Sequence, residues 1–301
     1  MIPMPGEKTG AFRPPAVRVL DGAMGTELRR RGADTALPLW SARALIDDPE
    51  IVRQIHRDYI AAGADIITAN TFRTTRRTFL KAGLADRSEE LTRLAVRLAH
   101  LAREEFPERR VLIAGSIAPL EDCYAPGLVP PEPELGEEHA AHARRLAEAG
   151  AEVLLCETMG TIREAAAACR AAVGTGRETV VSFLCAPDGN LYSGEPLSGA
   201  VSAIEPLGPS AFSINCVSPR FMEKAIATLK TTTRLPFGVY GNAGIPGGEA
   251  SGRPGAMECD VDPAEYAGFA RRWIGLGASF MGGCCGTTPE YIRQLAKLLG
   301  R

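Results

Sequence analysis

Cys216, Cys284 and Cys285 are the residues of this chain whose types and spacing first suggest chemistry. Cys216 follows the run Ala211-Phe-Ser-Ile-Asn215, and the vicinal pair lies far downstream in Met281-Gly-Gly-Cys-Cys-Gly-Thr-Thr-Pro289. Thiolates are soft ligands that select zinc over magnesium or calcium. Three of them with a fourth position open describe a zinc centre that works on a substrate rather than one that only ties a fold together. Adjacent side chains of a regular strand point to opposite faces, so Cys284 and Cys285 can share a metal only if the backbone leaves strand geometry there. Gly282, Gly283 and Gly286 permit that departure. The same residues also suit a buried vicinal pair beside an unrelated core cysteine, and spacing alone leaves both readings open. The lone Cys169 and Cys185 are expected in the core, as small hydrophobes.

Something must bring those thiols together, and the pattern of the whole chain supplies it. Short, near-continuous apolar runs alternate with Ala/Leu/Arg-rich stretches. The runs are Val17–Leu20, Asp65–Ala69, Val111–Ser116, Glu152–Cys156, Thr179–Leu184, Ala211–Asn215, Phe237–Tyr240 and Ala278–Gly282. Runs without polar alternation are what strands of a parallel sheet, buried on both faces, look like. Helical patterns lie between them at Pro49–Ala62, Glu89–Glu105, Leu135–Ala149, Thr161–Ala172, Arg220–Thr231, Pro263–Gly275 and Pro289–Leu299. Asp48 and Pro49 form a helix start, and Gly63, Gly150 and Gly277 stand where a left-handed residue would stop a helix. Eight strands with helical crossovers in one unbroken chain predict an α/β fold of the (β/α)8 TIM-barrel type, with a doubly wound open sheet as the alternative. Residues 17–301 form the barrel in this reading, and residues 1–16, rich in proline, are a flexible lead-in. Chemistry in such a barrel sits where strands end. The segments there are Asp21–Thr26, Asn70–Phe72, Ile117–Pro119, Glu157-Thr158, Cys185, Cys216, Gly241-Asn242 and Cys284-Cys285.

Four of these segments, read in order, are familiar. Asp21-Gly-Ala-Met-Gly-Thr-Glu-Leu28, Gly63-Ala-Asp-Ile-Ile-Thr-Ala-Asn-Thr-Phe72, Asn215-Cys216 and Gly282-Gly-Cys-Cys-Gly-Thr-Thr-Pro289 resemble the homocysteine S-methyltransferase family from about Val17 to Leu299. The resemblance implies that Cys216, Cys284 and Cys285 hold Zn2+. It also implies that L-homocysteine binds there through its sulfur, and that a methyl group is transferred to that sulfur to give methionine. A free thiol, with a pKa near 8.5, is mostly protonated at pH 7, and metal binding removes that proton. The resemblance further puts Asp21 and Glu157 in the homocysteine pocket, where either carboxylate could accept from the ammonium. Taken singly, each is equally a strand-end carboxylate capping a helix. The backbone amides of Gly22, Ala23, Met24 and Gly25, with Thr71, are candidates for the substrate carboxylate, because successive N–H groups in a Gly-rich turn form an anion nest. Asn70 and Asn242 are expected to brace loops.

The donor is expected to be a small sulfonium, S-methylmethionine or S-adenosylmethionine. The alternatives are a methyl-corrinoid or folate protein acting in trans, betaine, or a non-catalytic zinc- or thiol-binding protein on the same fold. The Gly-rich stretch 242–262 is long enough for a lid, but it lacks the tryptophan that sulfonium-using relatives carry there. The chain's two tryptophans are Trp40 and Trp273. Phe72, Phe183 and Tyr240 are the expected aromatic substitutes.

Composition excludes other classes. A net charge of −2 with scattered Lys and Arg offers no field for nucleic acid or anionic lipid. No apolar run approaches the roughly 18 residues that span a bilayer, and the start has no apolar signal region. A cytoplasmic protein is expected, with its eight cysteines reduced rather than paired.

Overall fold

The computed structural model describes residues 10–12, 17–244 and 259–301. Eight strands run parallel: β1 Arg18–Val19, β2 Ile66–Ala69, β3 Leu112–Ile117, β4 Val153–Met159, β5 Glu178–Phe183, β6 Ala211–Asn215, β7 Phe237–Gly241 and β8 Phe280–Gly283. From β2 to β8 each strand pairs with its sequence neighbour, and β1 pairs with β8. The remaining seam, between β1 and β2, closes through a bridge from Leu20 to Ile66. The Asp65 amide donates to the Val19 carbonyl at 2.7 Å, and the Val19 amide donates to the Asp65 carboxylate at 2.9 Å. The open-sheet alternative is thereby excluded. This is a (β/α)8 barrel.

Parallel neighbours need crossovers, and helices supply them. Helix Pro49–Ala62 begins where the Asp48 side chain accepts from the Ile51 amide, and it ends at left-handed Gly63. Gly150 and Gly277 stop helices Glu132–Ala149 and Pro263–Leu276 in the same way. One crossover differs from the sequence reading, which had no helix between β5 and β6. Helix Leu197–Ile204 lies there, its pattern masked by Ser198 and Gly199. Among the described residues no helix is long and apolar enough to cross a membrane.

Side chains alternate across each strand. Leu20, Ile66, Leu155, Val180 and Phe280 fill the barrel, while Ile67, Leu154, Val181 and Phe212 pack outward under the helices. Residues 1–9 and 13–16 of the expected lead-in lie outside the described residues. Within it, Phe12 is buried at the foot of the barrel, 4.7 Å from the Phe280 ring, and the Ala11 amide donates to Glu178 at 2.9 Å. The foot is plugged from the chain's own start, and the other end is left to the strand-end loops.

Candidate active site

At that other end the three cysteines meet. The sulfurs of Cys216, Cys284 and Cys285 all lie within 4.8 Å of one another, with Cys216 at 2.9 Å from Cys284 and 3.9 Å from Cys285. Cys284 and Cys285 sit past the end of β8, where the chain has left the strand. The Cys284 amide donates to the Gly241 carbonyl at 2.7 Å, and the Ala243 amide donates to the Cys285 carbonyl at 2.8 Å. The turn finishes at left-handed Gly286, whose amide donates to the Thr26 hydroxyl at 2.9 Å. Cys216 is itself left-handed, at φ 59°, a conformation that costs an L-residue about 1–2 kcal/mol. The Asn242 amide group holds it by donating to the Cys216 carbonyl at 3.0 Å.

This donor set fits zinc. Three sulfurs at the usual bond length of a tetrahedral ion stand roughly 3.8 Å apart, so the Cys216–Cys285 spacing suits that geometry and Cys216–Cys284 needs only to open. The cluster also shares its protons unevenly. Contacts from Cys216 and Cys284 hold the Cys285 thiol well below its ordinary value, while contact with Cys284 and Cys285 pushes Cys216 up. Cys169 and Cys185 are buried in the core as expected, and burial pushes both thiols up to about 12.

A lock behind the cluster was not visible in the sequence. The side chain of Asn215, fully buried at the end of β6, accepts from the Thr158 amide at 2.9 Å and the Ser182 hydroxyl at 2.7 Å. It also donates to the Thr158 hydroxyl at 2.8 Å. Thr158 is left-handed as well, at φ 63°, and the register of β4 against β5 shifts between Cys156 and Met159. The regular alternation of β4 holds up to this point, so Cys156 packs outward into the helix layer while Glu157 lines the pocket.

Asp21 and Glu157 face one pocket together with Cys216, Cys284 and Cys285. Asp21 accepts from the Thr68 amide at 2.7 Å and the Thr68 hydroxyl at 3.0 Å. Glu157 accepts from the Ser116 hydroxyl. Burial nevertheless dominates: it pushes Asp21 up to about 8 against the Thr68 bonds, with Glu157 nearby adding to the rise. Burial likewise pushes Glu157 up to about 7, against its hydrogen bonds. Two carboxyls that ionise near neutral pH, neither of them in an ion pair among the described residues, could together accept from an ammonium.

Gly22, Ala23 and Met24 line the same pocket. A Cβ on Gly22 would sit 2.8 Å from the Tyr59 ring, and one on Gly25 2.3 Å from the Trp40 indole nitrogen, so these two positions admit nothing larger than glycine. Of its amides, that of Ala23 is already spent on the Thr287 hydroxyl at 3.2 Å. Thr71 stands behind the wall, not in it. Its hydroxyl donates to the Ser116 carbonyl at 3.0 Å and accepts from the Ser116 amide at 2.9 Å, and its own amide donates to Ala69. Those bonds tie β2 to β3 and leave nothing for a substrate. Asn70 does brace a loop, donating to the Ser41 carbonyl at 2.9 Å. The Tyr240 hydroxyl, buried in the pocket, makes no hydrogen bond of good geometry among the described residues, but it lies near enough to Glu157 to help hold that carboxyl down.

Of the expected aromatic substitutes, Phe72 and Tyr240 line the pocket. Phe183 instead stacks on Phe212 in the core, their centroids 5.7 Å apart. Trp40 lines the pocket in its place. In the stretch 242–262 proposed as a lid, residues 245–258 lie outside the described residues.

Known proteins share this chain's sequence and shape. The family model described as homocysteine S-methyltransferase matches residues 18–299. The homocysteine S-methyltransferase YbgG of Bacillus subtilis (strain 168) is 35% identical, over 92% of this chain and 93% of its own. A selenocysteine methyltransferase of Astragalus bisulcatus is 31% identical, over 93% and 92%. The homocysteine methyltransferase MmuM of Escherichia coli, solved in a metallated form, superposes with a TM-score of 0.82 at 30% identity, covering 94% of this chain and 96% of that one. Its oxidised form gives 0.80 at 31% identity, covering 93% and 95%.

Proposed function

The chain belongs to the homocysteine S-methyltransferase family, and on that premise we propose that it transfers a methyl group from a small sulfonium donor to the thiol of L-homocysteine, with zinc as its metal. The observation that carries the reading is the meeting of three thiols and two ionisable carboxyls in one pocket. Zinc bound by Cys216, Cys284 and Cys285 would keep a fourth, substrate sulfur deprotonated and nucleophilic at neutral pH. Asp21 and Glu157 hold the ammonium of homocysteine. The free amides of the Gly22–Gly25 turn are the seat for its carboxylate.

The homocysteine sulfur attacks the donor's methyl carbon in line. The new S–C bond forms as the sulfonium S–CH3 bond breaks, and that electron pair stays on the departing sulfur as a neutral thioether. The thiol proton goes to solvent when the substrate binds. The donor loses its positive charge in the step, so a centre of three thiolates on a divalent ion attracts the donor more than the product. No protein base is needed.

The test is direct. Zinc-loaded protein is incubated with homocysteine and each of S-methylmethionine, S-adenosylmethionine, betaine and a methyl-corrinoid protein, and methionine is measured. Methionine from a sulfonium compound without a second protein is expected. Methionine from the corrinoid protein alone would overturn the donor assignment, and methionine from none would leave a zinc- or thiol-binding protein. About one zinc per chain is expected, lost in Cys216→Ser, Cys284→Ser and Cys285→Ser but kept in Cys169→Ser. Full zinc in Cys216→Ser would remove that residue from the site.

A further inference from the structure

Beside the cysteines a second lobe opens, lined by Trp40, Phe72, Arg73, Asp122, Tyr124 and the sulfur-bearing Cys216 and Cys285. It continues outward past Arg73 and Asp122 along Leu37 and Pro38. Its inner walls are aromatic. Its outer end carries two cations and two anions: Lys81 and Glu121 pair with each other, whereas Arg73 and Asp122 are in no ion pair among the described residues. The Arg73 Nε is buried without a hydrogen-bond partner, its guanidinium 5.5 Å from the centre of the Phe72 ring. Asp122 uses one oxygen to accept from the Tyr124 amide at 3.0 Å. The neighbouring Glu121 shows what an ordinary surface carboxylate does here: it pairs with Arg77 at 3.2 Å and with Lys81. Asp122 and Arg73 face the same cavity, in no ion pair with each other or with any other described residue. A buried or half-buried charge left without a partner is costly, and it marks a place where a ligand supplies the missing charge.

We propose that this lobe binds the methyl donor through a second α-amino-acid headgroup, with Arg73 taking its carboxylate and Asp122 its ammonium. The guanidinium fork suits a carboxylate. Trp40, Phe72 and Tyr124 then flank the chain that carries the sulfonium inward to Cys216 and Cys285, where aromatic faces favour a cation. The Cys123 thiol in the same wall is pushed up to about 12 by burial and serves as apolar surface. The two substrates would thus lie head to head, homocysteine anchored at Asp21 and Glu157 and the donor at Arg73 and Asp122, with their sulfurs meeting at the cysteines. This rests on the proposed methyl transfer and deepens it by assigning the two residues, Arg73 and Asp122, that hold the donor's headgroup. Betaine lacks the ammonium proton donors and dimethylsulfoniopropionate lacks the ammonium altogether.

The experiment uses the zinc-loaded, full-length protein and two readouts. Calorimetry measures binding of S-methylmethionine to wild type, Arg73→Met and Asp122→Asn, with homocysteine titrated into each as a control for folding. Turnover then compares S-methylmethionine with dimethylsulfoniopropionate and trimethylsulfonium. Each variant is expected to weaken S-methylmethionine at least about tenfold, the effect of one lost charge-assisted hydrogen bond, with homocysteine affinity kept within about twofold. The loss in kcat/KM is expected to be at least about tenfold larger for S-methylmethionine than for trimethylsulfonium. Binding of S-methylmethionine that weakens in both variants supports the lobe even if no methionine forms, a result that would count against the methyl-transfer reading alone. Failure of wild type to bind S-methylmethionine, unchanged binding in the variants, or equal loss for homocysteine and donor would overturn the proposal.

Discussion

Replacing Asn215 by Ala tests whether the site is held from behind. The amide group makes three hydrogen bonds in a fully buried position, two as acceptor and one as donor. The hydroxyls of Ser182 and Thr158 can rotate toward other acceptors, but the Thr158 amide cannot, so one buried N–H is orphaned at about 1–3 kcal/mol. Two lost neutral bonds add about 0.5–1.5 kcal/mol each. Against this, Thr158 is freed from its left-handed conformation, which returns about 1–2 kcal/mol. The net expectation is a loss of about 2–3 kcal/mol in urea unfolding of the metal-free, reduced protein. Relaxation of Thr158 also turns Glu157, the residue before it, away from the pocket, so homocysteine affinity is expected to fall at least about tenfold. Thr158→Gly separates the terms, because glycine accepts the left-handed backbone without cost. In that background Asn215→Ala loses only the bonds to Ser182 and the Thr158 amide, and the double-mutant cycle should show a coupling above about 1 kcal/mol. An Asn215→Ala protein within about 0.5 kcal/mol of wild type, or strictly additive variants, would refute the lock.

Other outcomes follow from the same geometry. Glu157→Ala should cost about 3–5 kcal/mol in homocysteine binding by calorimetry, because it leaves a buried ammonium half-paired, with zinc stoichiometry unchanged; unaltered homocysteine affinity would remove Glu157 from the pocket. Asp21 and Glu157 sit near 8 and 7 in the free protein, so an ammonium that needs them ionised must displace their protons, and homocysteine affinity should rise as pH goes from 6 to 8. Substrate thiol ionisation has the same sign; Asp21→Asn isolates the carboxyl, and at pH 7 it should release about one proton fewer on binding, an equal count refuting the assignment. In the free protein the stability linked to these two raised carboxyls is fully present below about pH 4 and is lost as pH rises through 7 and 8, a decline that saturating homocysteine should flatten in thermal melts. Phe12→Ala, at the foot of the barrel, should destabilise by about 3–5 kcal/mol without changing homocysteine affinity; a stability equal to wild type would mean that the plug carries no weight.

What the sequence discloses and what it hides divide along a physical line. Strands buried on both faces must be apolar throughout, so all eight were legible, and β6 matches its sequence range at both ends. Crossover helices announce themselves through caps, as at Asp48-Pro49 and Gly63, except Leu197–Ile204, where Ser and Gly dilute the pattern. Once the strands are placed, the residues just past them fall at the barrel mouth, which puts Asp21, Glu157, Cys216 and Cys284-Cys285 there without coordinates, while their expected roles came from the family resemblance. Thr71 satisfied the same rule and still points elsewhere, because the rule fixes a residue's height in the barrel and not the bonds its hydroxyl makes. Phe183 failed one position earlier, on the outward side of β5.

The residues missed share a different property: their roles depend on partners brought near only by closure of the barrel. Asn215 looks like any strand-end asparagine until β4 and β5 stand beside it, and Arg73 and Asp122 look like surface charges until the loops after β2 and β3 face one cavity. The lock and the second lobe also answer to each other. Thr158 and Cys216, the two left-handed residues that Asn215 and Asn242 hold in place, both line the lobe as well. Strain persists only where surroundings over-determine it, and here it is spent at the boundary between the two proposed substrate seats. A change at Asn215 should therefore reach the donor as well as homocysteine, whereas a change at Arg73 should reach the donor alone.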